Sequence, residues 1–108
     1  MKDKYNRVVL KLSGEAFGEL GKGGVHLPTI KDMANEILQA SKICQMAVVV
    51  GGGNIVRGAE ISKYGVGKET GDYMGMLATV INSMALQSAL EKIEVRSEER
   101  RVGKECRL

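Results

Sequence analysis

The chain is poor in residue types that several protein classes depend on. It has no tryptophan, one phenylalanine and three tyrosines in 108 residues, too few rings for the base-stacking platform of a single-strand nucleic-acid binder. Charge does not argue for nucleic acid either. The 16 Lys and Arg stand against 13 Asp and Glu, a balance of +3 that is scattered outside the last residues, and this makes no basic stripe. Cys44 and Cys106 are the only cysteines and His26 the only histidine, so the ligands for structural zinc are missing. No apolar run approaches bilayer-spanning length, and no secretory apolar region follows Met1-Lys2-Asp3-Lys4. The expectation is a cytoplasmic protein with reduced thiols, bound neither to membrane nor to nucleic acid. Its length and 44% hydrophobic content allow one domain at most, with a modest core.

Glycine, by contrast, is abundant, and its placement is informative. Gly51-Gly52-Gly53-Asn54-Ile55-Val56-Arg57-Gly58 abruptly ends the apolar run Met46-Ala47-Val48-Val49-Val50. Glycine lacks the Cβ that would hold a ligand away, so successive N–H groups can converge on an anion such as phosphate. Arg57 would add a planar, permanently charged fork suited to phosphate oxygens.

The hydrophobic pattern supplies a frame for this cluster. Val8-Val9-Leu10-Lys11-Leu12 reads as a buried strand stopped by Ser13-Gly14, and Gly14 to Gly24 as a mobile surface loop. Thr29-x-x-Asp32 resembles a capping box, and Ile30, Met33, Ala34, Ile37 and Leu38 then share one helical face, with an end near Lys42. Met46 to Val50 reads as a second strand, apolar enough to be covered on both faces of a parallel sheet. Strand, helix, strand makes a right-handed βαβ unit. The loops after Leu12 and Val50 then emerge at the same carboxyl edge, where open α/β sheets bind ligands. A helical turn is expected between Ala59 and Lys68, with breaks at Gly65 and Gly67. A longer helix follows, capped by Thr70 or Asp72 and buried along Met74, Leu77, Ala78, Ile81, Ala85 and Ala89.

Several of these residues have ordinary explanations. A lysine in a strand commonly snorkels to solvent, but Lys11 stands at the carboxyl end of the first strand, where it could neutralise a transferring phosphoryl group. Asp72 alone reads as a helix cap, and Met74, Met76 and Met84 as core filler. Two standard nucleotide signatures fail. Gly18 and Gly23 have P-loop spacing, but Gly24 stands where lysine is required, and Val56 occupies the third glycine position of the dinucleotide fingerprint. A phosphate-binding protein of another type is left.

Three ordered segments carry a resemblance: Lys11-Leu12-Ser13-Gly14-Glu15-Ala16, Val49 to Gly58, and Gly71-Asp72-Tyr73-Met74-Gly75-Met76-Leu77-Ala78-Thr79-Val80-Ile81-Asn82. Together they resemble the bacterial uridylate (UMP) kinases of the amino-acid kinase superfamily, over about residues 5 to 93. The resemblance implies an α/β fold, a three-layer αβα arrangement with a mainly parallel sheet, here incomplete. It also implies transfer of the ATP γ-phosphoryl group to UMP with Mg²⁺. By resemblance Lys11 is catalytic, and Lys11, Leu12, Ser13, Gly14, Gly53 and Arg57 line ATP, while Gly52 and Asp72 contact UMP. No protein metal ligand is implied. GTP and UTP are implied as effectors, the Glu19 to Gly24 loop matching a regulatory region, and the full-length family is expected to be homohexameric.

Beyond Ile93 the pattern departs from the family. Eight of the thirteen residues from Arg96 to Leu108 are charged, which suits neither a strand nor a core. The expected division is therefore residues 1–94 as the amino-terminal part of an amino-acid kinase domain and 95–108 as a charged tail, non-native or disordered. The family's chain is longer, so the expectation is a truncated, inactive fragment. A non-catalytic nucleotide-binding or regulatory module and another member of the superfamily are the alternatives.

Overall fold

The computed structural model describes residues 5–20 and 22–93. The tail beyond Ile93, including the boundary expected at 94, lies outside the described residues. The elements are β1 (Arg7–Leu12), a 3-10 turn (Gly14–Phe17), α1 (Leu27–Ser41), β2 (Gln45–Val50), α2 (Gly58–Ser62) and α3 (Lys68–Lys92). The two strands pair in parallel, Arg7 opposite Gln45 through to Leu12 opposite Val50. The juxtaposition of the two post-strand loops at one sheet edge follows directly from this register.

Alternation along the strands decides which face is covered. Leu10 and Leu12 from β1, with Met46, Val48 and Val50 from β2, pack against the buried cluster of Phe17, Ile30, Ala34, Ile37, Leu86 and Leu90. Both long helices therefore cover the same side of the sheet. The opposite side is open: Val9 is 71% and Val49 51% exposed. The expectation that β2 is covered on both faces fails for the described residues, because they supply one helical layer and only two strands. This is a partial αβα sandwich.

Helix starts depart from the expected caps. α1 begins at Leu27, with His26 in the cap position and Pro28 in the first turn, where a missing N–H costs nothing. Thr29 is thus already helical, and its hydroxyl meets His26 Nδ1 at 2.7 Å instead of closing a box with Asp32. α3 begins at Lys68 after Gly67, which places Thr70 and Asp72 inside the helix rather than at its cap. The α1 face is as expected, with Ile30, Ala34 and Ile37 buried.

The buried stripe of α3 is rotated from the expected one. It runs Gly71, Ala78, Asn82, Leu86 and Leu90, while Leu77 and Ile81 are 56% and 47% exposed. Ala78 keeps its expected place, and Ala85 and Ala89 lie at the edge of the core. The cause is close approach: a Cβ on Gly52 would stand 2.7 Å from Ala78 Cβ, so small residues, not large apolar ones, face the loop after β2. The Gly14 to Gly24 segment also differs from a plain surface loop. Its first turn is 3-10 helix, and Phe17 is fully buried at the centre of the core.

Candidate nucleotide-phosphate site

The site forms where the two post-strand loops meet. Gly51 N–H donates to Leu12 O at 2.9 Å, carrying the parallel pairing one step past Val50. The chain after Leu12 then turns directly onto the glycine cluster. A Cβ on Gly14 would lie 2.2 Å from Gly53 N and 2.7 Å from Gly52 C, and one on Gly51 would lie 3.0 Å from Gly14 N. Backbone here packs on backbone with no room for a side chain between.

This packing leaves donors available. Gly52 C=O accepts from Ile55 and Val56 N–H at 3.0 and 3.1 Å, closing the loop into a turn, yet among the described residues the N–H groups of Gly52 and Gly53 donate to nothing. Gly52 is buried. Buried backbone donors are nearly always paired, so an unpaired one marks strain, an ordered water or a ligand. Adjacent donors of this kind suit an anion.

Charged groups border the loop. Arg57, at the start of α2, forms an ion pair with Glu15 of the 3-10 turn. The Glu15 carboxylate also stands over Gly53, 3.2 Å from where a Cβ on that glycine would be. Both side chains are about half exposed, where screening leaves such a pair with little net stabilising effect. Arg57 can therefore exchange the carboxylate for phosphate oxygens at small cost.

The sequence-predicted residues do not all converge equally. Gly14, Gly52 and Gly53 are in mutual contact, Leu12 joins them through Gly51, and Arg57 through Glu15. Ser13 precedes the 3-10 turn and its carbonyl accepts from Ala16 N–H at 3.1 Å. Lys11 stands opposite Val49 on the open side of the sheet, exposed and without an ion-pair or hydrogen-bond partner among the described residues. Asp72 lies on α3 and pairs with Lys68 Nζ at 3.0 Å. No hydrogen bond or ion pair among the described residues links Lys11 or Asp72 to the glycine cluster.

The site also contains residues that pattern reasoning passed over. Asn82 is fully buried in α3, and its Nδ2 donates to Gly51 O at 2.9 Å and to Asn54 Oδ1 at 2.7 Å. The signal was present in the sequence: a carboxamide on the stripe otherwise formed by Ala78, Leu86 and Leu90, directly across from a second asparagine that follows the glycines. A polar residue at a core position implies a buried polar partner.

No group of three or more His, Cys, Asp and Glu among the described residues is placed to hold a metal ion. No helix among them is long and apolar enough to cross a membrane.

A parallel strand pair, a glycine turn with unpaired donors among the described residues and a flanking guanidinium define an α/β module with its candidate site at the carboxyl edge of the sheet. The chain belongs to the amino acid kinase family, whose sequence pattern matches residues 6–103. It is 54% identical to a uridylate kinase of Leifsonia xyli over 92 residues, covering 85% of this chain and 38% of that relative. A uridylate kinase of Rhodopseudomonas palustris is 52% identical over 89 residues, covering 82% of this chain and 37% of the relative. Two solved structures superpose well. The UMP kinase from Ureaplasma parvum gives a TM-score of 0.81 at 34% identity, covering 88% of this chain and 42% of that one. The UMP kinase from Bacillus anthracis gives 0.76 at 34%, covering 83% and 37%. The chain thus spans well under half the length of the relatives it matches.

Proposed function

We propose that the chain carries the phosphate-binding part of a kinase site that transfers the ATP γ-phosphoryl group to UMP. The observation that supports this most is the pair of free N–H groups at Gly52 and Gly53, held against Gly14 at the carboxyl edge of the sheet. In this reading the segment Lys11-Leu12-Ser13-Gly14, with Gly53 and Arg57, lines the ATP phosphates, and Gly52 and Asp72 face UMP. Lys11 is the catalytic residue. Its ammonium neutralises charge on the transferring group, in a reaction governed by positioning and electrostatics rather than by proton abstraction. Lys11 is free to turn toward ligand because no described residue holds it.

Magnesium enters this reading with the nucleotide. The described residues form no metal-binding cluster, and Mg²⁺ commonly keeps its waters and substrate phosphates as ligands instead of a protein cage. The rest of the reading, GTP and UTP as effectors and a homohexamer in the cytoplasm, is proposed for the full-length protein.

The 108-residue chain is expected to bind nucleotide weakly and not to turn over. Its open sheet face exposes Val9 and Val49, and its relatives are more than twice its length. Titration calorimetry with Mg·ATP and with UMP, beside a coupled assay for UDP, tests both statements. Lys11→Met should weaken Mg·ATP binding about tenfold, the effect of losing one charge-assisted phosphate contact, and leave thermal stability nearly unchanged because the residue is exposed and no described residue pairs with its ammonium. No heat with either nucleotide would refute binding by this chain, and UDP formation at about 1–100 turnovers per second, the range usual for kinases, would refute its inactivity.

A further inference from the structure

We propose that Asn82 and Asn54 are positioning residues, a carboxamide pair that sets the geometry of the phosphate loop and ties it to the chain at Gly24. The inference deepens the nucleotide-site reading and rests on it for the ligand, though not for the loop geometry.

Among the described residues Asn82 is the one buried polar side chain, fully enclosed on a helix stripe that is otherwise glycine, alanine and leucine. An unpaired amide there would be strongly unfavourable. Its hydrogen-bonding capacity is instead spent on one target: Nδ2 donates to Gly51 O and to Asn54 Oδ1, and Oδ1 accepts from Asn54 Nδ2 at 3.2 Å. Gly51 is consequently held through both of its backbone groups, the N–H by Leu12 O and the C=O by Asn82. One residue further on, Gly52 C=O is held by Ile55 and Val56 N–H. The Gly52 N–H therefore shares a planar peptide unit with the clamped Gly51 carbonyl, and the Gly53 N–H one with the clamped Gly52 carbonyl. Donors aimed in advance at a charge stabilise it without reorganisation when it arrives.

Asn54 extends the clamp to a third segment. Its Nδ2 donates to Gly24 O at 2.7 Å, and Gly24 N–H donates back to Asn54 O at 3.0 Å. Gly24 has a positive φ of 72°, so the segment turns at the point where it is gripped. A leucine at position 82 would continue the apolar stripe, but it would leave Gly51 O and Asn54 Oδ1 without the donor they have. The pair therefore does something that packing alone does not: it fixes the two glycine segments relative to α3.

Hydrogen exchange of the Gly24 and Gly51 amides, with Mg·ATP affinity by calorimetry, tests this on the 108-residue chain. Both amides donate within the clamped network, so their exchange reads the loop before any nucleotide is added. Asn54→Ala should speed exchange at both by about tenfold, the equivalent of one lost hydrogen bond, and weaken Mg·ATP by a similar factor. Asn54→Asp keeps the acceptor for Asn82 Nδ2 but cannot donate to Gly24 O or to Asn82 Oδ1, so it should bring Gly51 exchange closer to the parent's than Asn54→Ala does and leave Gly24 exchange fast. Leu90→Ala, in the core at the far end of α3, is the control for general destabilisation and should leave the ratio of Gly51 to whole-chain exchange unchanged. Asn82→Asp, which turns a donor into an acceptor facing Gly51 O, should act like Asn54→Ala. Because it is fully buried and can unfold the chain, the Asn54 variants carry the decision. Glycine exchange in Asn54→Ala that only matches the Leu90→Ala control would overturn the proposal, as would weakened nucleotide binding with exchange unaltered. Altered exchange in a chain that binds no nucleotide would uphold the positioning role and refute the nucleotide reading instead.

Discussion

Replacing Gly14 with alanine is expected to abolish nucleotide binding and to lower stability by roughly 3 kcal/mol, the upper part of the range for overpacking. The added Cβ would meet Gly53 N at 2.2 Å and Gly52 C at 2.7 Å. Neither atom belongs to a flexible side chain that could step aside. The two loops would have to separate, and with them the bond from Gly51 N–H to Leu12 O and the reach of Asn82 to Gly51. Gly75→Ala makes the contrast. A Cβ there meets nothing within 4 Å, and in the interior of α3 it should stabilise the chain by about 0.5–1 kcal/mol through helix propensity alone. Urea denaturation and calorimetry on the pair check the contrast. Gly14→Ala with near-normal stability and binding would mean that the loops do not touch as described.

Phe17→Ala should cost about 3–5 kcal/mol, the usual loss for a buried aromatic. Phe17 is 0% exposed and packs with residues of α1 and α3. Its backbone carbonyl accepts from His26 N–H at 2.8 Å, a bond that alanine keeps, so the cost is that of the lost packing. Since a domain holds only about 5–15 kcal/mol in total, a chain with one covered sheet face should lose most of its folded population. Circular dichroism at increasing urea would show this as an early or absent transition. A midpoint close to the parent's would place Phe17 outside the core.

The contrast between Phe17 and Lys11 shows what the sequence reveals and what it conceals. The two strands, the face of α1 and the meeting of the loops after Leu12 and Val50 were legible, because β-branched runs, a helical period and parallel pairing each follow from local pattern. Phe17 was not, since five glycines around it signal a loop and a 3-10 turn has no periodic signature in four residues. The α3 stripe was misjudged for a related reason. Counting large apolar residues favours Leu77 and Ile81, whereas close packing on Gly52 selects Ala78 and Asn82, a tertiary demand that sequence period does not encode.

The candidate site divides along the same line. The close approach of the loop after Leu12 to Gly51, Gly52 and Gly53 was legible, because parallel strands bring both loops to one edge and three glycines in succession exceed what a simple turn needs. The pairing of Arg57 with Glu15 and the Asn82–Asn54 clamp were not, as both depend on which side chains the folded loops bring within reach. Cap positions differ by a few residues from those expected at Thr29 and Asp72, since His26 caps α1, with Pro28 in its first turn, and Gly67 caps α3, neither through a side-chain bond.

In the proposed site the unpaired N–H groups of Gly52 and Gly53 receive nucleotide phosphate. This is tested most directly by following backbone amide resonances of the ¹⁵N-labelled chain as Mg·ATP is added. The account predicts saturable shifts that are largest at Gly14, Gly52 and Gly53, that are reproduced in part by inorganic triphosphate, and that are lost in Gly14→Ala. Shifts confined to other parts of the chain, or none at any nucleotide concentration reached, would contradict it.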